Sequence, residues 1–402
     1  MKVLIVGGGG REHALAWRLA QSPQVKRIVA SPGNPGIAKL ANCVPSPDSV
    51  SGYADIAQHF EADLTIVGPE APLVSGIVDR FRNRGLRIVG PTAAAAQLEG
   101  SKNFAKQLFK RAGIPTARHS SEIKDFSFPI VIKADGLAAG KGVIIAREET
   151  EARLAIQRLG PDVIIEEFLE GEEVSFIGLS DGASIYPFTP SQDHKRVFDG
   201  DRGPNTGGMG AYCDSRILSA AQSGEVMERI MLPAVRQLAI EGTPFTGFLY
   251  AGLMMTAEGP KVLEFNARLG DPEAQALLYS FEGDFADLLI GGVRAANQPT
   301  PPAPRPSVCV VMAAEGYPEN PRTGDEVHGM EAAEATGATV FQAGTRREGS
   351  VLVTNGGRVL GVTAGGDTLQ TAISKAYAAA GKIQFAGMHY RTDIGQRGLK
   401  RW

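Results

Sequence analysis

Strand-like and helix-like segments alternate through the first hundred residues of this 402-residue chain. The strand-like runs are Lys2–Val6, Ile28–Ala30, Leu64–Val67 and Arg87–Val89, and the helical stretches between them include Glu12–Gln21 and Ser75–Arg84. Strands that alternate with helices in this way form a parallel sheet covered by helices. We therefore predict an α/β fold that begins with an open parallel α/β domain over residues 1–100.

The pattern changes after Ser101, where a helix is followed by strands around a glycine-rich loop. We predict a helix at Lys102–Arg111 and strands at Pro129–Lys133, Val143–Ala146 and Val163–Glu167. These strands are typical of a small antiparallel lid over about residues 115–175, inside a larger region of residues 101–300. The rest of that region is interpreted as a central α/β domain, with hairpin strands at Gly247–Met255 and Lys261–Asn266.

A proline-rich tract, Gln298–Pro306, marks a linker, because proline suits neither a helix interior nor a central strand. Residues 301–402 then form a small C-terminal α+β domain. Its clearest local signal is a pair of strand patterns around Asn355–Gly357, residue types that reach positive φ in hairpin turns. We expect a β-hairpin there.

Charge and cysteine content exclude several classes of protein. Lys and Arg total 41 against 44 Asp and Glu, so the net charge of −3 gives no global field to attract nucleic acid or an anionic membrane. Apolar runs fall short of the ~20 residues that span a bilayer, and we expect no signal peptide. The three cysteines form no CxxC or Cys/His cluster, which favours a reducing cytoplasm over a disulfide framework or a structural zinc site.

A glycine-rich turn, VLIVGGGGREHALA, joins the first strand to the first helix, where backbone N–H groups can hold a phosphate. A dinucleotide-binding turn needs GxGxxG, but Glu12 or His13 occupies the third glycine position. A tight turn without a ligand is the other alternative, although Arg11 suits a phosphomonoester. Glu70 follows another strand and either faces a ligand at the carboxyl edge of the sheet or caps a helix.

A second glycine-rich loop, KADGLAAGKG, carries Lys133 and Lys141, whose charges can neutralise a polyphosphate. It lacks the GxxxxGK[ST] pattern, and a bare hairpin turn is the alternative. Further on, an apolar strand leads into Glu166, Glu167 and Glu173, which can accept hydrogen bonds from an adenine amino group and ribose hydroxyls. Glutamates on a solvated helix are the alternative, but the apolar run before them favours a cleft edge.

The stretch VLEFNARLGDPEAQ is the most informative part of the sequence. Residues two apart share a strand face, so Glu264 and Asn266 present oxygen ligands of the kind that Mg²⁺ prefers. Arg268 can reach the same cleft and stabilise a phosphoryl group in transfer, which requires charge stabilisation and alignment. Asp271 and Glu273 can orient Arg268 or bind an amine, whereas a buried ion-pair network is the alternative.

Two further segments are interpreted as loops near the reacting groups. SQDHKR at Ser191–Arg196 mixes one acid with two cations, and NTGGMGAY at Asn205–Tyr212 offers backbone donors to a carboxylate. A charged surface loop beside a flexible turn is the alternative. His194 alone does not indicate a catalytic role, because phosphoryl transfer of the kind described above needs no histidine base.

These motifs together resemble the phosphoribosylamine–glycine ligase family, also called glycinamide ribonucleotide synthetases, within the ATP-grasp superfamily. The resemblance covers nearly the whole chain and is carried by GGREHALA, TIVGPEAPLV, QLEGSK, KADGLAAGKGV, EEFLEGEE, SQDHKR, GPNTGGMGAY, TGFLYAGLM and RLGDPEAQA. It implies an ATP-grasp fold and a cytoplasmic ligase of de novo purine biosynthesis. The implied reaction joins glycine to 5-phosphoribosylamine through glycyl phosphate, with ATP and Mg²⁺ or Mn²⁺. The sequence leaves the oligomeric state open between a monomer and a weak dimer.

The resemblance also implies roles for individual residues. The residues that would contact ATP are Lys102, Lys133, Lys141, Glu166, Glu167 and Glu173, and those that would hold the metal are Glu264 and Asn266. The residues that would bind the substrates are Gly9, Gly10, Arg11, Glu70, Asn205, Gly207 and Gly208. The catalytic residues would be Arg268, Asp193, Lys195 and Asp271.

Two other functions compete with this interpretation. A nucleotide-dependent dehydrogenase is disfavoured by the broken GxGxxG pattern and by the absence of an acid after the second strand. A non-catalytic ATP-binding sensor predicts loss of Glu264, Asn266 or Arg268, and all three are present.

Overall fold

The N-terminal domain contains a parallel sheet whose strand order is β3-β2-β1-β4-β5 in the computed structural model, which describes residues 1–137, 142–291 and 304–401. Its elements are β1 (Lys2–Gly7), α1 (Gly10–Leu19), β2 (Arg27–Pro32), β3 (Asn42–Cys43), α2 (Val50–His59), β4 (Leu64–Val67), α3 (Glu70–Val74), α4 (Ile77–Asn83), β5 (Ile88–Val89) and α5 (Ala93–Gly100). The predicted parallel α/β architecture is confirmed.

Helix boundaries in this domain differ from the prediction for local reasons. Helix α1 begins at Gly10, two residues before the predicted start, because Gly9 is its N-cap and donates its N–H to Oε2 of Glu12 at 2.6 Å. The predicted helix at Ser75–Arg84 corresponds to α4, which begins only at Ile77 because Gly76, with φ of 83°, separates it from α3.

A small antiparallel sheet follows, in the order β6-β9-β7-β8. Its elements are α6 (Lys102–Ala112), β6 (His119–Ser120), β7 (Ile130–Ala134), β8 (Val143–Ala146), α7 (Glu149–Leu159) and β9 (Val163–Glu167). Helix α7 covers one face and shares a separate apolar cluster with the strands, built around Ile130, Ile132 and Ile165. This is the predicted lid; Lys141 lies outside the described residues.

The largest sheet joins the central and C-terminal parts of the chain. Its strand order is β17-β16-β10-β12-β15-β18-β22-β19, with β11 beside β10. The strands that follow the lid are β10 (Glu172–Asp181), β11 (Ile185–Pro187), β12 (Ser191–Asp193), β13 (Arg196–Phe198), β14 (Arg202–Asn205), β15 (Gly210–Cys213), β16 (Thr246–Thr256), β17 (Gly259–Asn266), β18 (Ser307–Ala313), β19 (Thr339–Gln342), β20 (Thr345–Glu348), β21 (Val351–Thr354) and β22 (Arg358–Gly365). Because β15 pairs with β18, strands from both sides of the proline-rich tract share one sheet.

Helices cover this sheet and connect it to the N-terminal domain. They are α8 (Ala220–Val226), a π-helical turn (Met227–Met231), α9 (Leu232–Ile240), α10 (Glu273–Ser280), α11 (Phe285–Gly291), α12 (Met330–Glu334), α13 (Leu369–Ala380) and α14 (Gln396–Arg401). Helix α10 packs against α1 as well as against β15, β18 and β22, so it ties the two domains together. Across the described part of the chain, no helix combines the length and apolarity needed to cross a bilayer.

The hairpin predicted around Asn355–Gly357 is wrong. Strand β21 pairs with β20, whereas β22 lies between β18 and β19 in the large sheet. None of these three turn residues has positive φ. In the large sheet β22 has a hydrogen-bonded strand on each side. A hairpin with β21 would take the place of one of these two core pairings. The predicted hairpin at β16 and β17, in contrast, is present.

Candidate active site

A cavity of about 1040 Å³ lies between the N-terminal domain, the lid and the large sheet. Its volume suits a nucleotide together with small substrates. The lining brings together most of the predicted site residues: Arg11, Glu70, Lys102, Lys133, Glu166, Glu167, Glu173, Asp193, Lys195, Asn205, Gly207, Glu264, Asn266, Arg268 and Asp271. Gly9, Gly10 and Gly208 are absent from the lining.

The N-terminal glycine turn directs Arg11 into this cavity. Arg11 is only 7% exposed; its Nε donates to Oε1 of Glu12 at 2.6 Å, and its Nη1 donates to the carbonyl of Leu269 at 3.1 Å. Glu12 also accepts the N–H of Gly9, so this backbone N–H is already used. The group that the turn offers to a ligand is therefore the guanidinium of Arg11. Glu12 thus stands where a dinucleotide fingerprint would have glycine, and it is already hydrogen-bonded within the turn.

Arg268 lies between two carboxylates at the N-terminal side of the cavity. Its Nη2 is 2.9 Å from Oε1 of Glu99, and its Nε is 3.2 Å from Oε2 of Glu70. Burial disfavours the charged guanidinium, but Glu99 and Glu70 outweigh it and raise the pKa of Arg268. Burial also raises the pKa of Glu99. Sequence reasoning missed Glu99, because nothing local distinguishes it from a surface glutamate at a helix end.

Strand β17 presents the candidate metal ligands. Glu264 and Asn266 line the cavity and are partly exposed, whereas Phe265 between them is buried and packs in the core. Nη2 of Arg268 also donates to Oδ1 of Asn266 at 3.4 Å. Among the described residues, no group of three or more His, Cys, Asp or Glu side chains could hold a metal. Two oxygen ligands fit Mg²⁺, which keeps waters and takes its other ligands from substrate phosphates.

Lysines collect at the lid side of the cavity. Nζ of Lys102 donates to the carbonyl of Gly136 at 3.0 Å, and burial lowers the pKa of this lysine. Lys133 and Lys106 both contact Glu166, at 2.9 and 3.0 Å. Glu166 was predicted to bind adenosine, but both of its carboxylate oxygens already contact lysine ammonium groups. These lysines would compete with adenosine for Glu166. Lys106 was missed, although its position one helical turn after Lys102 was a usable signal.

A second acid–lysine cluster lies where β10 and β12 approach. Nζ of Lys195 is 2.7 Å from Oε2 of Glu173, and this contact lowers the pKa of Glu173. Burial raises the pKa of Asp193 to about 7, although Lys195 opposes the shift. Burial alone would lower the pKa of Lys195, but Asp193 and Glu173 raise it well above its usual value. The segment predicted as a loop is partly strand, because Asp193 ends β12.

Arg358 of strand β22 joins two of the predicted loops. It donates to the carbonyl oxygens of Gly207 and Asp271, and its Nη2 is 3.3 Å from Oδ2 of Asp271. Burial would raise the pKa of Asp271, but Arg358 and Arg11 lower it. Gly208, outside the lining, packs on the same turn, since an added Cβ would lie 2.5 Å from Cδ of Pro272. Sequence reasoning missed Arg358 because its partners are far away in the chain.

Glu273 has a different environment from the one predicted. Its Oε1 accepts hydrogen bonds from Tyr250 at 3.0 Å and from Ser175 at 3.3 Å, and the side chain is buried. It lines the cavity beside Asp271 without a direct ion pair to Arg268.

An antiparallel lid and clustered lysines that face a strand with candidate metal-ligand oxygens define the ATP-grasp class of ATP-dependent enzymes. The solved structure of phosphoribosylamine–glycine ligase from Thermotoga maritima matches with a TM-score of 0.85 and 33% identity, over 98% of this chain and 100% of that chain. Biotin carboxylase from Campylobacter jejuni matches with a TM-score of 0.73 and 13% identity, over 99% of this chain and 95% of that one, which shows a shared fold alone.

The chain belongs to the phosphoribosylglycinamide synthetase family. Its N domain model matches residues 1–99, its ATP-grasp (A) domain model residues 100–274 and its C domain model residues 307–397. Phosphoribosylamine–glycine ligase from Allochromatium vinosum is 48% identical over 425 residues, covering 100% of this chain and 99% of the relative. The ligase of the same name from Escherichia coli K12 is 47% identical over 426 residues, covering 100% and 99%.

Proposed function

We propose that this protein joins glycine to 5-phosphoribosylamine at the expense of ATP, giving glycinamide ribonucleotide, ADP and phosphate in de novo purine biosynthesis. Relatives that carry this activity in their names match the chain over its full length. The observation that carries the proposal is that Arg268, Glu264 and Asn266 line the same cavity as the lysines on its lid side. Phosphoryl transfer needs this combination of cations, metal ligands and alignment.

The nucleotide would bind across the lid side of the cavity. Lys102, Lys133 and Lys141 hold the phosphates, while Glu167 and Glu173 are candidates for the adenosine. We assign Glu166 to holding the lysines, because its two oxygens contact Lys106 and Lys133. Glu264 and Asn266 would hold Mg²⁺ or Mn²⁺, both of which suit an oxygen ligand set. The metal, when bound, neutralises phosphate charge.

The first chemical step forms glycyl phosphate. A carboxylate oxygen of glycine attacks the γ-phosphorus of ATP, the bond from that phosphorus to the β-bridging oxygen breaks, and ADP leaves. Arg268 stabilises the charge on the phosphoryl oxygens, and Glu99 and Glu70 keep its guanidinium protonated and oriented. Asp193 and Lys195 frame the glycine.

The second step forms the amide. The amino nitrogen of phosphoribosylamine attacks the acyl carbon, the bond from that carbon to the phosphate oxygen breaks, and phosphate leaves with one oxygen from glycine. The nitrogen loses one proton, which passes to the departing phosphate or to solvent. We assign phosphoribosylamine to Arg11 and Glu70, with Gly9 and Gly10 forming the turn that carries Arg11. Asn205, Gly207 and Asp271 complete the acceptor side, and Gly208 packs behind them on Pro272. The lid must exclude water, because water would hydrolyse the acyl phosphate.

An oxygen-transfer experiment tests this proposal. Purified protein is given ATP, Mg²⁺, glycine labelled with ¹⁸O in its carboxylate, and phosphoribosylamine formed in place from ribose 5-phosphate and ammonia. We expect ADP release that needs both substrates, and one ¹⁸O atom in each phosphate released. Arg268→Ala should abolish both, whereas Arg153→Ala on the exposed face of the lid helix should change neither. Unlabelled phosphate would exclude the acyl phosphate, and ADP release without substrate dependence would exclude the assigned substrates.

We propose a cytoplasmic location and a monomer or weak dimer for this enzyme. Free Cys43, Cys213 and Cys309 are consistent with a reducing compartment.

A further inference from the structure

Lys106 is a buried lysine that no substrate role explains. It lies on α6, one turn after Lys102, and is 3% exposed. Its Nζ contacts Oε1 of Glu166 at 3.0 Å, Oγ1 of Thr116 at 2.8 Å and the carbonyl of Ala117 at 3.2 Å. An ammonium group has three N–H donors, so these contacts use all of them. Lys106 therefore has none left for a ligand.

Lys133 shares the same carboxylate but has only two hydrogen-bond partners within the described part of the chain. Its Nζ is 2.9 Å from Oε2 of Glu166 and donates to the carbonyl of Leu263 at 2.9 Å. These two contacts leave one N–H for a ligand in the cavity that Lys133 lines. Glu166 thus connects a saturated lysine on α6 to an unsaturated lysine on β7.

The charges of this cluster do not balance. One carboxylate faces two ammonium groups, and all three side chains are no more than 7% exposed. A buried charge is costly unless it is paired. The excess positive charge is next to the cavity, where a polyphosphate would neutralise it.

The structure assigns Lys106 as a positioning residue: by occupying one oxygen of Glu166, it holds the other oxygen, and with it the ammonium group of Lys133, in place to bind a nucleotide phosphate. This inference deepens the proposed function by adding a residue to the nucleotide site. It requires that Lys106 affect nucleotide binding only through Lys133.

A double-mutant cycle tests that requirement. ADP affinity is measured by calorimetry in Lys106→Met, Lys133→Met and the double variant, without glycine or amine. We expect Lys106→Met to weaken ADP binding on the order of tenfold, and to add less than about twofold when Lys133 is already Met, because contacting residues couple. Lys110→Met, one turn further along α6 and exposed, should leave affinity unchanged.

The positioning role would be overturned if Lys106→Met reduced ADP affinity equally with Lys and with Met at position 133, or reduced it in neither case. If Lys106→Met fails to fold, Thr116→Val removes one acceptor of Lys106 and should give a smaller loss with the same dependence on Lys133. The binding measurement uses neither glycine nor amine. If the effects of Lys106→Met and Lys133→Met on ADP affinity depend on each other as expected, but the protein shows no ligase activity, the proposed function alone is contradicted. If the protein is an active ligase, but the two substitutions reduce ADP affinity additively, this inference alone is contradicted.

Discussion

Nη2 of Arg268 lies 2.9 Å from Oε1 of Glu99, and Oε2 of the same glutamate accepts the backbone N–H of Ala267 at 2.7 Å. Glu99 therefore fixes both the guanidinium and the backbone that carries it. Glu99 lies in the last turn of α5 in the N-terminal domain, whereas Arg268 follows β17 of the large sheet. A residue of the N-terminal domain therefore fixes the position of Arg268, which we propose stabilises the transferring phosphoryl group.

Removing the charge of Glu99 should slow the chemical step. In Glu99→Gln we expect kcat to fall between about tenfold and a hundredfold, because a small displacement of a reacting group costs rate on that scale. KM for ATP should change little, since the lysine cluster remains intact. Steady-state ADP release provides the measurement. Glu331→Gln, at an exposed position in α12, is the control, and an unchanged kcat in Glu99→Gln would contradict the role of Glu99.

The metal assignment predicts a shift in metal requirement. In Glu264→Gln we expect the Mg²⁺ concentration for half-maximal activity to rise at least about tenfold, because a neutral amide is a weaker ligand than a carboxylate. Titration of activity with Mg²⁺ at saturating ATP measures it. Glu258→Gln is a matched control, since Glu258 is 77% exposed at the turn of the same hairpin. An unchanged Mg²⁺ requirement in Glu264→Gln would show that the metal is held elsewhere.

Arg358 should act on substrate affinity. A lysine at this position is a point charge and cannot hold Gly207 and Asp271 together as the guanidinium fork does. For Arg358→Lys we expect KM for glycine or for phosphoribosylamine to rise on the order of tenfold, with a loss of about 1–3 kcal/mol in the free energy of unfolding. Kinetics and urea unfolding check the two effects. Arg347→Lys, at an exposed site of β20, should alter neither.

The parts of the fold that were predictable depend on local pattern. Strands β8 and β9 have the predicted bounds, since β8 is one apolar run and β9 begins with another, and the helices around the N-terminal sheet follow from alternation. The hairpin at Asn355–Gly357 was wrong because its turn signal is local, whereas the pairing of β22 with β18 and β19 is decided by burial in a sheet formed from distant segments.

The same distinction separates the site residues. Lys133, Glu264 and Arg268 occur in motifs whose chemistry can be read directly, and the structure brings them to one cavity. Glu99 and Arg358 act through partners 169 and 87 or more positions away, as the contacts of Glu99 with Arg268 and of Arg358 with Asp271 show. No pattern in a single sequence contains that information. Lys106 is intermediate, since helical spacing places it beside Lys102 but does not show its partner.

The acid sensitivity of the fold should depend on buried His13. Burial, with a smaller contribution from Lys39, lowers the pKa of His13 from 6.5 to about 4. Its Nδ1 accepts the N–H of Gln342 at 2.8 Å, a contact between α1 and β19. Because the folded state binds the proton less well than the unfolded state, stability is fully present above pH 6.5 and falls as pH drops from there toward 4.

The shift corresponds to about 3 kcal/mol in total, of which about 2 kcal/mol is lost between pH 7.5 and pH 5. We expect His13→Gln, whose side-chain carbonyl can still accept the N–H of Gln342, to lose less free energy of unfolding over this interval than the unaltered protein. Urea unfolding at both pH values measures the difference. Some acid sensitivity should remain, since burial also lowers the pKa of His194 to about 3. His59→Gln, at an exposed position, should keep the full dependence, and an equal dependence in His13→Gln would show that His13 is not the group that titrates.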